Sequence, residues 1–378
     1  MDINFHYYAV KTVALYAGFQ EDDAQLIAGY SQFVDDYDIW KDYIFDRVPE
    51  YARSLIRGSF LGYHLFYTVT TGFNSLLDNA RLGLPKYQNE ICVPFHFIPT
   101  RRLRDINVNT STRTAYRTQE ATINGAFLIA QLMTEARNQY FDARSNAERR
   151  KALIRIGTLL HIFADTYSHN GFSGLNGWEN NAVIREAKNI FTQESITQNY
   201  TGYSKLPAIG HAKIGTAPDD TYANIEWSQT SANDNTWAMH NRSNLQKFTV
   251  AAEQILYYLG SLLNNEPDFY ADRLGELRGI LRAGFQKTPG GSTDQRKWTE
   301  AYRNGNYHYN KNDYWESQLG DFRMVTIPAN TTDIPQAFLD NFEKDEVGNY
   351  TAVIYTSASD DFFNYNLIAK AIRDTVIE

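Results

Sequence analysis

The sequence predicts a mainly α fold, a helical body with long loops that is followed by a C-terminal α/β extension. Apolar residues recur at the three-or-four spacing of a helix face in several long segments before residue 265. Polar stretches rich in Gly, Asn, Thr and Tyr separate these segments, and short β-prone pieces follow residue 266. We therefore expect residues 1–265 to form a helical metal-binding catalytic domain and residues 266–378 to form an extension packed on it.

The segment 242–263 shows the clearest helical pattern, because Leu245, Phe248 and Ala252 begin an apolar stripe that continues to Leu263. The other predicted helices are 21–38, 51–78, 115–137, 149–168 and 361–377. The predicted long loops are 83–112, 170–240 and 286–330, and the predicted β-prone pieces are Met324–Ile327 and Ala352–Tyr355. Loops of this length inside a compact protein are more often functional than idle.

Composition limits the functions open to the chain. It has 378 residues, of which 43% are hydrophobic, so it can bury a large core. A formal net charge of -8 gives no electrostatic footprint for duplex nucleic acid. Cys92 is the single cysteine, so an internal disulfide is excluded and a bound metal would take nitrogen and oxygen ligands. The sequence has neither a signal-peptide pattern nor an apolar run long enough to span a membrane, so we expect the protein to be cytoplasmic by default. Export by a route that needs no signal peptide is the alternative.

The strongest functional signal is the spacing of His161, Asp165 and His169, each four residues after the last on a predicted helix. A step of four residues turns only about 40° around a helix axis, so the three side chains project to one side. They can therefore meet one metal cluster. The alternative is a structural His–Asp hydrogen bond that satisfies two buried polar groups at a helix end.

Further candidate ligands are spread along the chain: His6, Asp35, His96 and His211, with Asp219 or Asp220 in the same loop as His211. His96 lies between Pro94 and Pro99, a rigid setting that suits a fixed ligand. Asp35 lies on a stripe of small residues in the predicted helix 21–38, and a buried carboxylate needs a cation or several donors. Each residue taken alone is as compatible with a structural role. His64, His240 and His308 have no recognisable partner in the sequence.

Along residues 1–260, the order of the candidate ligands resembles that of the metal ligands in bacterial zinc-dependent phospholipases C and fungal single-strand-specific nucleases. The order is His6, Asp35, His96, His161, Asp165, His169, His211 and Asp219. The resemblance implies a mainly helical fold and up to three zinc ions. It implies one ion held by Asp35, His96, His161 and Asp165, a second by His169, His211 and Asp219, and a third by the Met1 amine, His6 and Asp165 as a bridge. It also assigns catalytic roles to Asp165 and to Asp35, the latter as the residue that orients the attacking water.

Three departures from the family pattern concern individual ligands. His169 follows Asp165 by four residues where the families have six. Gly215 occupies the position of the late carboxylate, so Asp219 or Asp220 must reach in from a loop. Met1 begins this chain where the families use a processed N-terminal tryptophan; its amine is a competent ligand once deprotonated, and Asp2 is the fallback.

The expected function is a zinc-dependent phosphodiester hydrolase, phospholipase C-like, that uses metal-activated water. The expected substrate is a phospholipid or small phosphodiester, with contact to a membrane surface and no binding of duplex nucleic acid. Phe97, Arg101 and Arg102 follow His96 and are predicted to bind the substrate. The alternatives are a single-strand nuclease or nucleotidase with the same site, a non-catalytic zinc-stabilised helical binding module, and a metal-free protein with buried histidines. The sequence does not predict the oligomeric state.

Overall fold

The computed structural model describes residues 1–39, 42–73, 81–107, 109, 112–286, 294–303 and 305–378. Its longer helices are α1 Val10–Ala17, α2 Glu21–Asp36, α3 Leu128–Asp142, α4 Asn146–Ser168, α5 Asn244–Leu262, α6 Leu274–Gly284, α7 Asp294–Ala301 and α8 Asp360–Ile377. Its strands are β1 Tyr43–Phe45, β2 Ile56–Phe60, β3 Tyr63–Phe66, β4 Ala182–Asn189, β5 Ala223–Thr230, β6 Trp237–Ser243, β7 Phe322–Ile327, β8 Glu343–Lys344 and β9 Tyr350–Tyr355. Shorter helical turns are α-helical at Pro85–Tyr87 and Gln336–Leu339, π-helical at Asn4–Ala9 and Gln88–His96, and 3-10 at Glu50–Leu55, Leu103–Asp105, Arg113–Tyr116, Trp178–Asn180, Thr197–Tyr203, Ala212–Ile214, Pro267–Arg273, Lys311–Tyr314 and Glu316–Gln318.

The prediction of a mainly α fold is wrong. Of the described residues, 51% are helical and 15% lie in strands, and these strands form two sheets, so the protein is a mixed α and β protein. Strands β4 and β5 and the first part of β6 lie in the segment 170–240, which was predicted as loop. Polar residues such as Arg185, Glu226 and Asn241 interrupt the strands, so they lack the apolar runs by which a strand is recognised.

The predicted helix 51–78 is also wrong where the structure describes it. This segment contains the β2–β3 hairpin, and residues 74–80 lie outside the described part of the chain. The hairpin turns at Leu61 and Gly62, both with positive φ, the conformation of a two-residue hairpin turn. The turn sequence is Leu-Gly instead of the usual Asn-Gly, and leucine is rare at a position with positive φ. The sequence therefore did not indicate the turn.

Most of the other predicted helices are confirmed. Helices α2, α4, α5 and α8 match predicted segments to within about three residues, a usual uncertainty at helix ends. The helix predicted for 115–137 begins only at Leu128 and ends at Asp142. Both predicted β-prone pieces lie in strands, β7 and β9. Among the described helices, none is long and apolar enough to cross a membrane.

The contacts divide the chain into two units. The first unit comprises Met1–Val34, Asn74–Tyr309 and Ile372–Glu378. Its centre is α4, whose residues from Gly157 to Ser168 are all buried, and α4 contacts both α3 and α5. The antiparallel sheet β4–β5–β6 belongs to the same unit and has a bulge between Ile184 and Glu186.

The second unit comprises Asp35–Phe73 and Asn310–Ala371. Its described residues form a six-stranded sheet of order β2–β3–β1–β9–β7, in which β8 also pairs with β9. Strands β1 and β9 are parallel, and the other pairs are antiparallel. One face of this sheet covers a core of Ile44, Leu65, Phe338, Ala352 and Ile354. The domain boundary predicted after residue 265 stays a prediction.

Gly157→Ala is expected to destabilise the first unit, because α2 and α4 pack closely at this glycine. An added Cβ would lie 2.4 Å from the backbone oxygen of Ile27. Backbone shifts of this kind typically cost about 1–3 kcal/mol. Urea unfolding should therefore show a lower midpoint than the wild type. The control is Gly279→Ala in α6, where nothing lies within 4 Å of the added carbon; it should stabilise by roughly 0.5–1 kcal/mol. Equal midpoints for the two variants would contradict the close packing of α2 on α4.

Candidate metal centre

The candidate ligands of the first unit meet at the C-terminal end of α4. Two groups of side chains can be distinguished. The inner group consists of the Met1 amino nitrogen, His6, His96, His161 and Asp165, and the outer group consists of His169, His211 and Asp219. The groups adjoin, because the Met1 nitrogen lies 2.5 Å from Asp165 Oδ1 and 3.3 Å from Asp219 Oδ1.

Helix α4 supplies three of these residues and ends between the second and the third. His161 and Asp165 lie one turn apart on its buried face. The helix ends at Ser168, and His169 is its C-cap residue, whose N–H still donates to the Asp165 carbonyl at 2.8 Å. The four-residue spacing to His169, which departs from the family pattern, is therefore accommodated by a ligand on the helix cap.

Two candidate ligands of the inner group lie in π-helical turns. His6 belongs to the π-helix Asn4–Ala9, which leads directly into α1, and His96 ends the π-helix Gln88–His96. Pro94 lies inside the second π-helix. Because π-helical turns are rare and frequently mark functional sites, their presence at two of the predicted ligands favours a functional role for this region.

Asp165 is the centre of the inner group. Its Oδ1 lies 3.2 Å from His6 Nε2, and its Oδ2 lies 3.3 Å from His161 Nε2 and 3.4 Å from His96 Nδ1. Ligands held about 2.0–2.1 Å from one tetrahedral zinc ion lie roughly 3.3–3.4 Å from one another. These three nitrogen–oxygen separations therefore match the edges of a coordination tetrahedron. His6 faces one carboxylate oxygen, and His96 and His161 face the other.

Three buried polar atoms of the inner group have no hydrogen bond within the described part of the chain. Both ring nitrogens of His6 and the Oδ2 atom of Asp165 are buried without a hydrogen-bond partner among the described residues. A buried polar atom without a partner costs free energy, so such atoms are rare in native proteins. A cation bound between His6, His96, His161 and Asp165 would satisfy Asp165 Oδ2 and one of the two His6 ring nitrogens, and the residues present therefore fit a metal ion.

The outer group resolves the choice between the two neighbouring aspartates. Asp219 Oδ1 lies 3.1 Å from His169 Nε2, and Asp219 Oδ2 lies 3.2 Å from His211 Nε2. The Asp220 carboxylate instead accepts hydrogen bonds from Tyr200 and Tyr222 at 2.5 and 3.3 Å. Asp219 is therefore the carboxylate that faces the histidines.

Backbone carbonyls fix the orientation of three imidazole rings. The Nδ1–H groups of His161, His169 and His211 donate to the carbonyls of Ser31, His96 and Gly215 at 2.9, 2.5 and 2.7 Å. In the neutral ring, the Nδ1–H tautomer that these contacts select leaves the lone pair on Nε2, and each Nε2 atom is directed at an aspartate. This is the usual arrangement around metal-binding histidines. Gly215, which lacks the carboxylate expected from the families, thus still contributes through its backbone.

Protonation at neutral pH also suits metal binding. Burial acts to raise the pKa values of Asp165 and Asp219, but the neighbouring histidines and the Met1 amine outweigh it and hold both pKa values well below the usual range. Burial is the main reason that the pKa of His6 lies well below its usual value, and it also lowers the pKa of His169. The carboxylates are therefore ionised and these two rings are neutral, as metal coordination requires.

Among the remaining predicted site residues, Phe97, Arg101 and Arg102 lie outside the two groups, and the role of Asp35 as a ligand stays a prediction. Phe97 is buried and stacks on His169, with ring centroids 4.3 Å apart, so it packs behind a ligand instead of lining an open pocket. Arg101 is exposed and Arg102 is half-buried in the turn that follows. Asp35 is half-buried in the last turn of α2 and is the first residue of the second unit. The Asp2 carboxylate accepts hydrogen bonds from the backbone and side chain of Asn4.

Sequence reasoning missed Arg242 and Asn244, which lie at the junction of β6 and α5. Both are buried, and both bind backbone carbonyls of the segments that carry His169 and Asp219. A buried arginine in a polar strand has no distinguishing signal in a single sequence, because its neighbours in space come from distant segments.

The comparison with known proteins gives one family. The family of unknown function DUF6765 matches the chain over residues 1–378. No curated protein and no solved structure matches the chain.

Proposed function

The chain belongs to the DUF6765 family, and we propose that it is a zinc-dependent phosphodiester hydrolase of the phospholipase C type. The observation that carries this proposal is the environment of Asp165. Its Oδ1 faces His6 and accepts a hydrogen bond from the Met1 amine, whereas its buried Oδ2 faces His96 and His161 at separations typical of shared metal coordination and has no hydrogen bond from the described residues. The order of the ligands along the chain, which resembles that of the zinc phospholipases C and nucleases, supports the reaction class.

The chain's own residues would hold the metals in two adjoining groups. Asp165 would bridge between the ion bound with His96 and His161 and the ion bound with His6 and the Met1 amine. The outer group would hold the remaining ion. When bound, the metals would acidify water and neutralise the charge that develops at phosphorus during attack. The assignment of Asp35 to orient the attacking water stays a prediction from the resemblance.

The substrate class follows from charge and from the exposure of the site. The acidic chain has no electrostatic footprint for a long nucleic acid, which favours a phospholipid or small phosphodiester. The outer group is the more accessible one, since the Asp219 and His211 side chains are 17% and 14% exposed while Asp165 is 1% exposed. A phosphate group would therefore approach from the side of the outer group.

The test measures zinc per chain by elemental analysis and then hydrolysis, on full-length protein purified without a histidine tag or chelator. Wild-type protein is expected to hold about two to three zinc ions and to release phosphorylated headgroup from phospholipid vesicles. His161→Ala should lose both properties. The matched control is His240→Ala, whose ring stacks on Trp227 in β5; it should retain both.

Each other outcome has a defined meaning. Cleavage of a single-stranded oligonucleotide without hydrolysis of lipid would assign the nuclease activity to the same centre. Two or more bound zinc ions without turnover of either substrate would reject the hydrolase and leave a zinc-stabilised binding module. Absence of zinc after reconstitution would reject the metal centre itself.

A further inference from the structure

Arg242 is a buried cation in β6 that binds backbone carbonyls. Its Nη1 donates to the carbonyls of Tyr167 and Ser168 at 3.1 and 2.7 Å, and its Nη2 donates to the carbonyl of Pro218 at 2.9 Å. Ser168 immediately precedes His169, and Pro218 immediately precedes Asp219. One guanidinium therefore links the two segments that carry ligands of the outer group.

The position is well suited to a fixed positive charge. The last carbonyls of a helix lack intrahelical partners and carry partial negative charge, and Arg242 binds two of them at the end of α4. The N–H donors of the planar guanidinium point in several directions, so they can bind the end of α4 and the loop before Asp219 together. The single ammonium group of lysine cannot reach both segments in the same geometry.

Asn244 extends the same connection. Its side-chain oxygen accepts from Arg242 Nε at 2.8 Å, and its amide nitrogen donates to the carbonyls of Ala217 and Asp220, each at 2.8 Å. The loop 217–220 is therefore held at three of its four carbonyls by two side chains. The backbone carbonyls of Pro218 and Asp220, on either side of Asp219, are therefore both held in place.

We propose that Arg242 is a positioning residue, which holds the end of α4 and the loop 217–220 at the separation at which His169 and Asp219 bind one metal ion. This inference rests on the metal centre proposed above. Arg242 does not coordinate the ion. It sets the geometry of the outer group, whereas His6 and His96 of the inner group come from other segments and His161 lies about two turns before the end of α4.

The experiment titrates metal-free, full-length protein with Zn²⁺ against a chromophoric chelator and compares wild type, Arg242→Lys and Arg242→Met. In both variants we expect one ion to bind about 10–100-fold more weakly, the range found when a residue supporting a ligand is lost. The other ions should bind as in the wild type. The control is Arg185→Met in β4, where the exposed guanidinium donates to Ser228 Oγ at 2.7 Å; it should bind every ion as the wild type does.

A double-mutant cycle separates positioning from general destabilisation. His211→Ala removes a ligand of the outer ion, so adding Arg242→Lys to it should weaken zinc binding no further. Additive losses, equal weakening of all ions, or wild-type affinity in Arg242→Lys would each overturn the inference. The lysine variant decides the matter if the methionine variant does not fold. A wild-type protein that binds no zinc would overturn the metal centre and this inference together, whereas zinc binding without hydrolysis overturns only the proposed reaction.

Discussion

Asp165→Asn is expected to abolish hydrolysis and remove most of the bound zinc. Asparagine keeps the size of the side chain, but it carries no charge and has only one acceptor oxygen, so it cannot bridge two cations. Because Asp165 Oδ1 faces His6 and Oδ2 faces His96 and His161, both ions of the inner group depend on this carboxylate. We expect zinc to fall to about one ion per chain and hydrolysis to fall by more than about 100-fold, beyond the effect of losing a supporting residue.

The matched control is Asp220→Asn. It makes the same chemical change in a loop beside the centre, but the Asp220 carboxylate accepts from Tyr200 and Tyr222 and does not face the histidines. This variant should keep its zinc and its hydrolytic activity, and the altered hydrogen bonds should cost about 0.5–1.5 kcal/mol of stability. Full zinc content in Asp165→Asn, measured by elemental analysis, would contradict the bridge.

The helices of the first unit could be predicted because their burial has a period that sequence shows directly. In α5, Phe248, Ala252 and Ile255 face the core at helical spacing, and the predicted segment 242–263 matches Asn244–Leu262. Strand β4 gives no comparable signal, since Glu186 and Lys188 face outward and its inward residues are small or few. Sheets also depend on pairing between distant segments, which a single chain's local pattern does not contain.

The candidate site was more predictable than the fold, for a chemical reason. Histidine and aspartate in apolar surroundings are conspicuous, because such groups are seldom buried without a partner. The sequence therefore selected the members of both groups. It could not select between Asp219 and Asp220, which differ only in the direction that the loop imposes. Nor could it indicate the π-helical turn at His96 or the carbonyl contacts of Arg242, because both depend on tertiary packing.

Removal of the metal is expected to lower the stability of the protein, and the stability of the metal-free protein should decrease as the pH falls. Zinc at about 100 times its dissociation constant would stabilise the folded state by about 2.7 kcal/mol for each independent ion, so a chelator should lower the unfolding midpoint at pH 7. The buried polar atoms of His6 and Asp165 would then lack a partner. Chemical denaturation with and without chelator measures the difference.

The direction of the pH dependence follows from the two buried histidines. In the folded metal-free protein the pKa values of His6 and His169 lie below the usual value because burial disfavours the charged rings. Below about pH 6.5 the unfolded chain binds protons that the folded chain does not, so the free energy of unfolding decreases as the pH falls from about 7 to about 5. Asp165 and Asp219 have depressed pKa values in the folded protein, so their ionised carboxylates stabilise it at neutral pH. This stabilisation is lost only at lower pH, as the pH falls through the folded-state pKa values.

Each histidine should contribute a slope of up to about 1.4 kcal/mol per pH unit in this window. The comparison is between the wild type and His6→Ala, both metal-free, by chemical denaturation at each pH. Removing His6 should flatten the decrease between pH 7 and pH 5. Equal slopes in the wild type and His6→Ala would mean that His6 takes up a proton in the folded state. A buried cation beside the Met1 amine would then argue against the inner group as a place for a metal ion.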